Sequence, residues 1–381
     1  MDFVDFYYKK TIQYKYQGYN LEFMVSQSLF SSQKIDNGTQ RLLRTLIFEN
    51  VNKFNKVLDL GCGYGPIGIS LKKICPDSTV HMVDKDALAI EYTKANLKIN
   101  DIKNNTFVYG GLGYLNIKDN DFDLIVSNIP AKVEKEVLIH IIKDARYYLK
   151  NNGKVIIVVI DAISEFINNE LVSDDSIETL YHKSWPGHHV YHYTFKNNID
   201  TVQKDSINKN IFNSTHNTKL ISKSNILSLN LVQITNKIDT AVFFNLGNGD
   251  IILSLVKGID IKNIFIVDKD LEQLNTSKDR LIKNGYSDKS IKIYHQVGIE
   301  IENVNVDAIF LILSKQLPDK VYKTLILQSL KLLKKKGYIV FSSKSNIISK
   351  IEKFIDKKFF IKLDQVKNNS KESVLFQKIN D

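Results

Sequence analysis

The sequence predicts an α/β protein built from two copies of one mostly parallel sheet, each closed by an antiparallel last strand. Three observations carry that prediction. Short β-branched runs alternate with longer amphipathic stretches, the pattern of strand–helix–strand crossovers on a parallel sheet. The succession also occurs twice. VDKD at 83–86 returns at 267–270, FDLIV at 122–126 is echoed by VDAIF at 306–310, and LKNNGKVIIVV at 149–159 by LKKKGYIVFSS at 333–343, all offset by 184 residues. Third, both copies carry a glycine-rich turn after a first strand, LDLGCGYG at 58–65 and FNLGNGD at 244–250, which match with a two-residue shift.

In the first copy KVLDL (56–60) reads as a strand, PIGISLKKI (66–74) as the helix after it, TVHMVD (79–84) as a strand and ALAIEYTKANLKIN (87–100) as a helix. NTFVYG, FDLIVSN and GKVIIVVI continue the strands, with a helix expected over VEKEVLIHIIKDARYYL (133–149). VYHYTF (190–195), matched by SVLFQKI (373–379), closes the unit. The expected domains are therefore 1–198 and 211–381, joined by a polar linker at about 199–210 within KNNIDTVQKDSINKN.

The chain has 381 residues and 43% hydrophobic content, enough for two packed cores. No apolar run approaches the roughly 20 residues that span a bilayer, so no membrane partner is expected. MDFVDFYYKK places acids where a signal peptide needs bases, and Cys62 and Cys75 are too few for a disulfide framework; the expected location is the reducing cytoplasm. Net charge is +10, unevenly spread: residues 1–200 hold 23 Lys/Arg and 24 Asp/Glu, leaving 29 basic and 18 acidic groups for residues 201–381. A basic second half suits contact with a polyanion such as RNA, although a Lys/Asn/Ile-rich composition accounts for it equally well.

The chemistry concentrates in the first copy. A strand, then Asp59-Leu60-Gly61-Cys62-Gly63-Tyr64-Gly65, then a helix, puts glycines where backbone must approach a ligand closely. A dinucleotide site also uses glycines here, but Asp59 before them would repel a pyrophosphate while suiting an amino-acid ammonium. Asp84, ending the second strand, is placed to accept both hydroxyls of a ribose. Without Asp59 and Asp84 in register, the same glycines would read as a capped turn.

With these residues the chain resembles the class I S-adenosylmethionine-dependent methyltransferases, and more narrowly the methyltransferase small domain family, which includes ribosomal RNA guanine-N2 methyltransferases. The resemblance covers roughly residues 10–195 and extends upstream, where FMVSQSLFSSQKIDNGTQRLL (23–43) is similar to the family's strand, Phe-Ser turn and Asp-x-Gly-Thr helix opening. It implies tandem Rossmann-like methyltransferase domains, S-adenosylmethionine as cofactor held by Asp59, Gly61, Gly63, Gly65 and Asp84, and a pocket flanked by Phe30, Ser31 and Gly38–Thr39. Read alone, Asp36, Asn37 and Thr39 are helix-capping residues for QRLLRTLIFENV. Many relatives carry an acid at the fourth strand's end that touches adenine; YGGLGYL (109–115) has none, leaving that contact to backbone at Gly110–Gly111.

VSNIPAK (126–132) stands where amino-group methyltransferases carry Asn-Pro-Pro and an aromatic residue. The family likeness implies that Asn128 and the backbone of Ile129–Pro130 accept hydrogen bonds from the target NH2, and that transfer depends on positioning. Ala131 cannot stack on a base, and Lys132 is placed to meet a substrate phosphate or carboxylate. SWPGHHVYHYTF (184–195) holds the chain's one Trp, and Trp185 with His188 are candidates to replace the missing aromatic; a stabilising hairpin is the other reading, and a zinc site is disfavoured because no cysteine is near. In the second copy Asn245 is expected to replace the motif Asp, Asp250 to intrude on the turn, and LSKQLP (313–318) to stand in for Asn-x-Pro, which leaves a degenerate, basic, RNA-facing unit. The expected activity is N-methylation of a base amino group in structured, ribosomal RNA. A small-molecule or protein methyltransferase and a non-catalytic binding scaffold are the rivals, and the sequence does not speak to oligomeric state.

Overall fold

A computed structural model describes residues 3–49, 54–130, 132–196, 238–313 and 317–380. The chain divides into two units, Tyr7–Phe212 and Met1–Phe6 with Asn213–Asp381. The expected linker at 199–210 lies outside the described residues, as does Ala131.

A short helix, α1 (Phe3–Tyr7), leads into the hairpin β1 (Tyr8–Tyr16) and β2 (Tyr19–Ser26). Gln17 and Gly18 turn it with φ of 44° and 88°, the positive angles that match a hairpin's twist. Next come α2 (Asn37–Thr45), β3 (Lys56–Leu60), α3 (Pro66–Ile74), β4 (Thr79–Asp84), α4 (Ala87–Ile99), β5 (Thr106–Gly110) and β6 (Phe122–Asn128). They are followed by α5 (Lys135–Lys143), β7 (Leu149–Ile160), α6 (Asp161–Val172), β8 (Ile177–Trp185) and β9 (His188–Phe195). Seven strands form one sheet in the order β5-β4-β3-β6-β7-β9-β8, parallel through β7 and antiparallel in the last hairpin. Continuous apolar runs make the central strands because both faces are covered: Leu58, Val83, Ile125 and Ile157 are at most 1% exposed, and each such side chain stabilises the fold by about 1.5–3 kcal/mol.

Two asparagines dock the N-terminal hairpin on this core. Asn96 Oδ1 accepts from Met24 N at 2.7 Å while its Nδ2 donates to the Met24 and Tyr64 carbonyls. Asn100, the C-cap of α4, does the same with the N–H and C=O of Glu22. The two side-chain amides thus satisfy the free backbone groups of β2 as a neighbouring strand would.

The second unit repeats the plan: β10 (Ile238–Phe244), α7 (Asp250–Gly258), β11 (Ile261–Asp268), α8 (Leu271–Lys283), β12 (Ile291–His295), β13 (Val306–Leu313), α9 (Asp319–Leu332), β14 (Leu333–Lys344), α10 (Ser345–Phe354), β15 (Phe360–Asn368) and β16 (Lys371–Lys378). Its sheet order, β12-β11-β10-β13-β14-β16-β15, is the same arrangement. Asp123 Oδ2 accepts from the N–H groups of Asn55 and Lys56, and Asp307 Oδ2 from those of Asp239 and Thr240. Lys150 pairs with Asp123, and Lys334 with Asp307. Every member of these sets is displaced by 184 residues from its counterpart.

The same offset governs the glycine turns, which corrects the two-residue shift read from the sequence. Val57 pairs with Leu124 in the first sheet and Ala241 with Ala308 in the second, so Asp59 corresponds to Phe243 and Gly61 to Asn245. Asn245 therefore occupies a glycine position, not that of the motif Asp. It takes φ 57°, and its N–H bonds the Val267 carbonyl at 2.9 Å as Gly61 bonds Val83 at 2.8 Å. Asp250 matches Pro66, the first residue of the following helix, and so does not enter the turn. The similarity of the letters LG-x-G in both copies misled the alignment; the strand ladders resolve it.

The helix expected over 133–149 is shorter. α5 ends at Lys143, a 3₁₀ turn covers Asp144–Tyr147, and Leu149 already pairs with Phe122 in the sheet. Strand pairing outcompetes the helical periodicity there.

Candidate functional site

The crevice at the carboxyl ends of β3, β4 and β6, where the strand order reverses direction, is the ligand position of this architecture. Gly61, Gly63 and Gly65 line it with φ of 76°, 58° and 90°, the left-handed region that favours glycine. They differ in purpose. A Cβ at Gly61 or Gly63 would meet nothing within 4 Å, so their backbone faces open space, whereas one at Gly65 would come within 2.8 Å of Ile69 Cδ1. Two glycines are thus free to meet a ligand and the third lets α3 pack. The turn is braced from behind: Gly61 and Cys62 donate to the Val83 carbonyl, and Gly63 donates to Asp84 Oδ2 at 2.8 Å.

Asp59 is fully buried. Its Oδ2 accepts from Gly68 N at 2.8 Å, and among the described residues Oδ1 has no hydrogen-bond partner. Burial pushes this carboxyl up to about 7, against the pull of the Gly68 N–H and with a smaller push from the Asp84 charge. Asp84, at the tip of β4, accepts from Asp86 N through Oδ1 and from Gly63 N through Oδ2, and burial raises it too. Each of its oxygens keeps a second lone pair. Gly110 ends β5 opposite Asp84, and a Cβ on neighbouring Gly111 would lie 2.3 Å from Val83 Cγ1, so backbone presses close to β4 here. The open Gly61–Gly63 faces, the orphaned Asp59 oxygen and the carboxylate at Asp84 fit an amino-acid-bearing nucleoside: a site for ammonium, a site for hydroxyls, and room between.

Asn128 terminates β6 beside this turn, and Ser127 Oγ ties the strand to the Leu60 carbonyl at 2.7 Å. The Asn128 Nδ2 donates to Asp36 Oδ2 at 3.0 Å and to Thr39 Oγ1 at 2.9 Å. Asp36 is also the N-cap of α2, accepting from Thr39 N. Sequence reading found Asp36 and Thr39 as caps and missed their second use, since nothing local links positions 36 and 128. The Ile129 side chain is 2% exposed in the core of the sheet, so its departure from the usual proline does not reshape the acceptor side. Its N–H bonds the Val158 carbonyl, which fixes the backbone leading to Pro130.

The β8–β9 hairpin brings Trp185 and His188 to the same α2 helix. Arg41 Nη1 donates to the Pro186 carbonyl and to His188 Nδ1 at 2.8 Å, and its guanidinium lies 5.9 Å from the Trp185 ring centre. Because a guanidinium only donates, His188 Nδ1 accepts and the ring proton sits on Nε2. A Cβ on Gly38 would lie 2.8 Å from both Asp36 Oδ2 and His188 Cδ2, so the imidazole packs directly on the α2 terminus. Lys183 Nζ lies 5.0 Å from the Trp185 ring centre. Phe30 is 73% exposed, in a turn whose Ser31 carbonyl accepts from Tyr64 of the glycine loop; Lys132 is exposed. His192 is a core residue, bonded to Glu49 and Thr45. No group of three or more metal-ligating side chains occurs among the described residues.

The second unit differs at the matching positions. Phe243, at the Asp59 position, stacks on Phe310 with centroids 5.1 Å apart, and Asn245 Nδ2 donates to the carbonyl of Ile312, the residue at the Asn128 position. Asp268 persists, pushed up to about 7 by burial.

Known proteins agree with this geometry. The family described as methyltransferase small domain matches residues 20–171. The Bacillus subtilis protein YbxB, uncharacterized, is 31% identical over 152 residues, 40% of this chain and 74% of that protein. Ribosomal RNA small subunit methyltransferase C of Haemophilus influenzae is 35% identical over 150 residues, but the match spans only 38% of this chain and 44% of that enzyme. The T. thermophilus 16S rRNA N2 methyltransferase RsmC, solved with AdoMet and guanosine, shares the fold over 99% of this chain and 100% of its own, with a TM-score of 0.61 at 12% identity. A glycine cradle between two carboxylates, Asn128 at the next strand's end and this set of relatives place the chain in the methyltransferase small domain family of S-adenosylmethionine-dependent methyltransferases.

Proposed function

We propose that the first unit methylates an exocyclic amino group of a base in structured ribosomal RNA. The observation that carries the reading is Asn128 at the end of β6, beside the glycine cradle and facing the Trp185–His188 hairpin across α2. Gly61 and Gly63 would receive the cofactor along their backbone while Gly65 lets α3 pack behind them, Asp59 would meet its ammonium, Asp84 its ribose, and the Gly110 backbone its base. When bound, S-adenosylmethionine supplies an electrophilic methyl group. The chain then has to hold the acceptor nitrogen in line: Asn128 Oδ1 and the Ile129–Pro130 backbone accept its hydrogens, which turns the lone pair toward the methyl. Trp185 stands beside Arg41 and Lys183, cations suited to the phosphates that flank a bound base. Phe30 and Lys132 border the same side.

The second unit is the RNA-contacting platform in this reading. Part of its charge is internally balanced, since Lys334 pairs with Asp307 and Lys350 with Asp319. Exposed Lys335, Lys336, Lys353, Lys357 and Lys358 are the candidates for phosphate contact. The test is transfer of labelled methyl from S-adenosylmethionine to ribosomal RNA, to assembled ribosomal particles and to an RNA-free metabolite extract. Label in an N-methylated base, lost in Asn128→Ala, is expected. Label confined to metabolites or protein overturns the substrate class.

A further inference from the structure

We propose that Asp36 and Thr39 are positioning residues for methyl transfer, locking the Asn128 amide so that its oxygen alone faces the acceptor. The inference rests on the reading of Asn128 given above and adds what makes that residue work. A side-chain amide has two faces of similar shape and opposite polarity. Only the oxygen can accept from an incoming NH2; with the amide flipped, donor meets donor and the acceptor lone pair turns away. Asn128 by itself does not select one orientation.

Its surroundings do. Both Nδ2 hydrogens have an acceptor, Asp36 Oδ2 at 3.0 Å and Thr39 Oγ1 at 2.9 Å. Flipping the amide would put Oδ1 against a carboxylate that has no hydrogen to give, so the wrong orientation loses a charge-assisted bond and gains a repulsion. The acceptors are themselves fixed. Asp36 Oδ2 is held by the Thr39 N–H of its own helix cap at 3.2 Å, Thr39 is 3% exposed, and the Gly38 backbone between them is packed under His188. The cap of α2 and the end of β6, 92 residues apart in sequence, are joined by these side-chain hydrogen bonds. The Asp-x-Gly-Thr opening thus does more than start a helix: its first and last residues set the hydrogen-bond polarity of the catalytic asparagine.

Two variants separate positioning from folding. Thr39→Val removes one acceptor without changing shape, and Asp36→Ser keeps an N-cap hydroxyl while ending short of Asn128. Each is expected to lower kcat about 10-fold on ribosomal RNA with S-adenosylmethionine affinity and RNA KM within about two-fold of wild type, and Thr39→Ser should restore turnover. Full kcat in Thr39→Val and Asp36→Ser, or losses of S-adenosylmethionine affinity matching those of kcat, would overturn the positioning role while Asn128→Ala remained inactive. An active Asn128→Ala would instead overturn the functional reading beneath it.

Discussion

Thr93 Oγ1 donates to the Gly63 carbonyl at 2.8 Å, tying the open glycine turn to helix α4. Ser277 makes the same bond to Gly247 in the second unit at 2.7 Å. Thr93→Val should loosen only the first turn and lower S-adenosylmethionine affinity about 3–10-fold, the worth of one neutral hydrogen bond of about 0.5–1.5 kcal/mol. Ser277→Ala should leave calorimetric cofactor binding at the wild-type value.

Both units keep the acid at the end of their second strand, but the second has Asn245 at the Gly61 position and Phe243 at the Asp59 position. Asp84→Ala is expected to weaken cofactor binding at least 10-fold, and Asp268→Ala to leave it unchanged. A stoichiometry of one cofactor per chain by titration calorimetry checks the same point, and two would refute it.

Gly38 has no room for a methyl group between Asp36 Oδ2 and His188 Cδ2, each 2.8 Å from the position it would take. Gly38→Ala must displace the imidazole or the cap, at a cost of about 1–3 kcal/mol in stability. Because the crowding is on the acceptor side, RNA KM should rise while cofactor affinity holds. Steady-state kinetics with each substrate varied in turn distinguishes the two.

Asp59 carries a pH signature. Its ordinary value of 3.8 is raised to about 7 by burial, so between these limits the folded chain holds a proton that the unfolded chain has released. Stability contributed by this group is therefore greatest below about pH 4 and falls as pH rises to about 7. Asp59→Asn should flatten that window by an amount on the order of 2–4 kcal/mol, read from urea midpoints at pH 5 and 8, with the share from Asp268 remaining. If the carboxylate meets the cofactor ammonium, S-adenosylmethionine should also bind more tightly as pH rises from 6 to 8, and the slope should vanish in the variant.

Glu49 has the opposite sign. The His192 hydrogen bond first, then Lys154, hold it at about 2 against burial, so its contribution is present above its ordinary 4.5 and is lost as pH falls toward 2. Glu49→Gln should lose about 1 kcal/mol at pH 7 and show a shallower acid transition by circular dichroism.

The parallel sheet, the strand sequence and the duplication were legible because periodicity and a fixed offset are properties of the chain itself. The glycine turn between two carboxylates was legible for the same reason: Asp59, the glycines and Asp84 lie within one strand–turn–helix–strand stretch. What sequence reading missed is long-range. Asp36 to Asn128, Arg41 to His188 and Asn96 to Met24 join residues whose types are ordinary in their own neighbourhoods, and only the fold brings them together. The misaligned second turn has a different cause, a local likeness of letters that competed with the register of the strands.

The stacked pair Phe243–Phe310 couples two positions that the first unit fills independently. At this spot the first unit sets a carboxylate beside Val126, and the second sets two rings face to face. Placing the first unit's residue at either position alone would strip an aromatic pair worth about 0.5–1.5 kcal/mol, and an aspartate at 243 would also bury a charge against a ring. Each single exchange is uphill, so a carboxylate at 243 is tolerated only when position 310 changes with it.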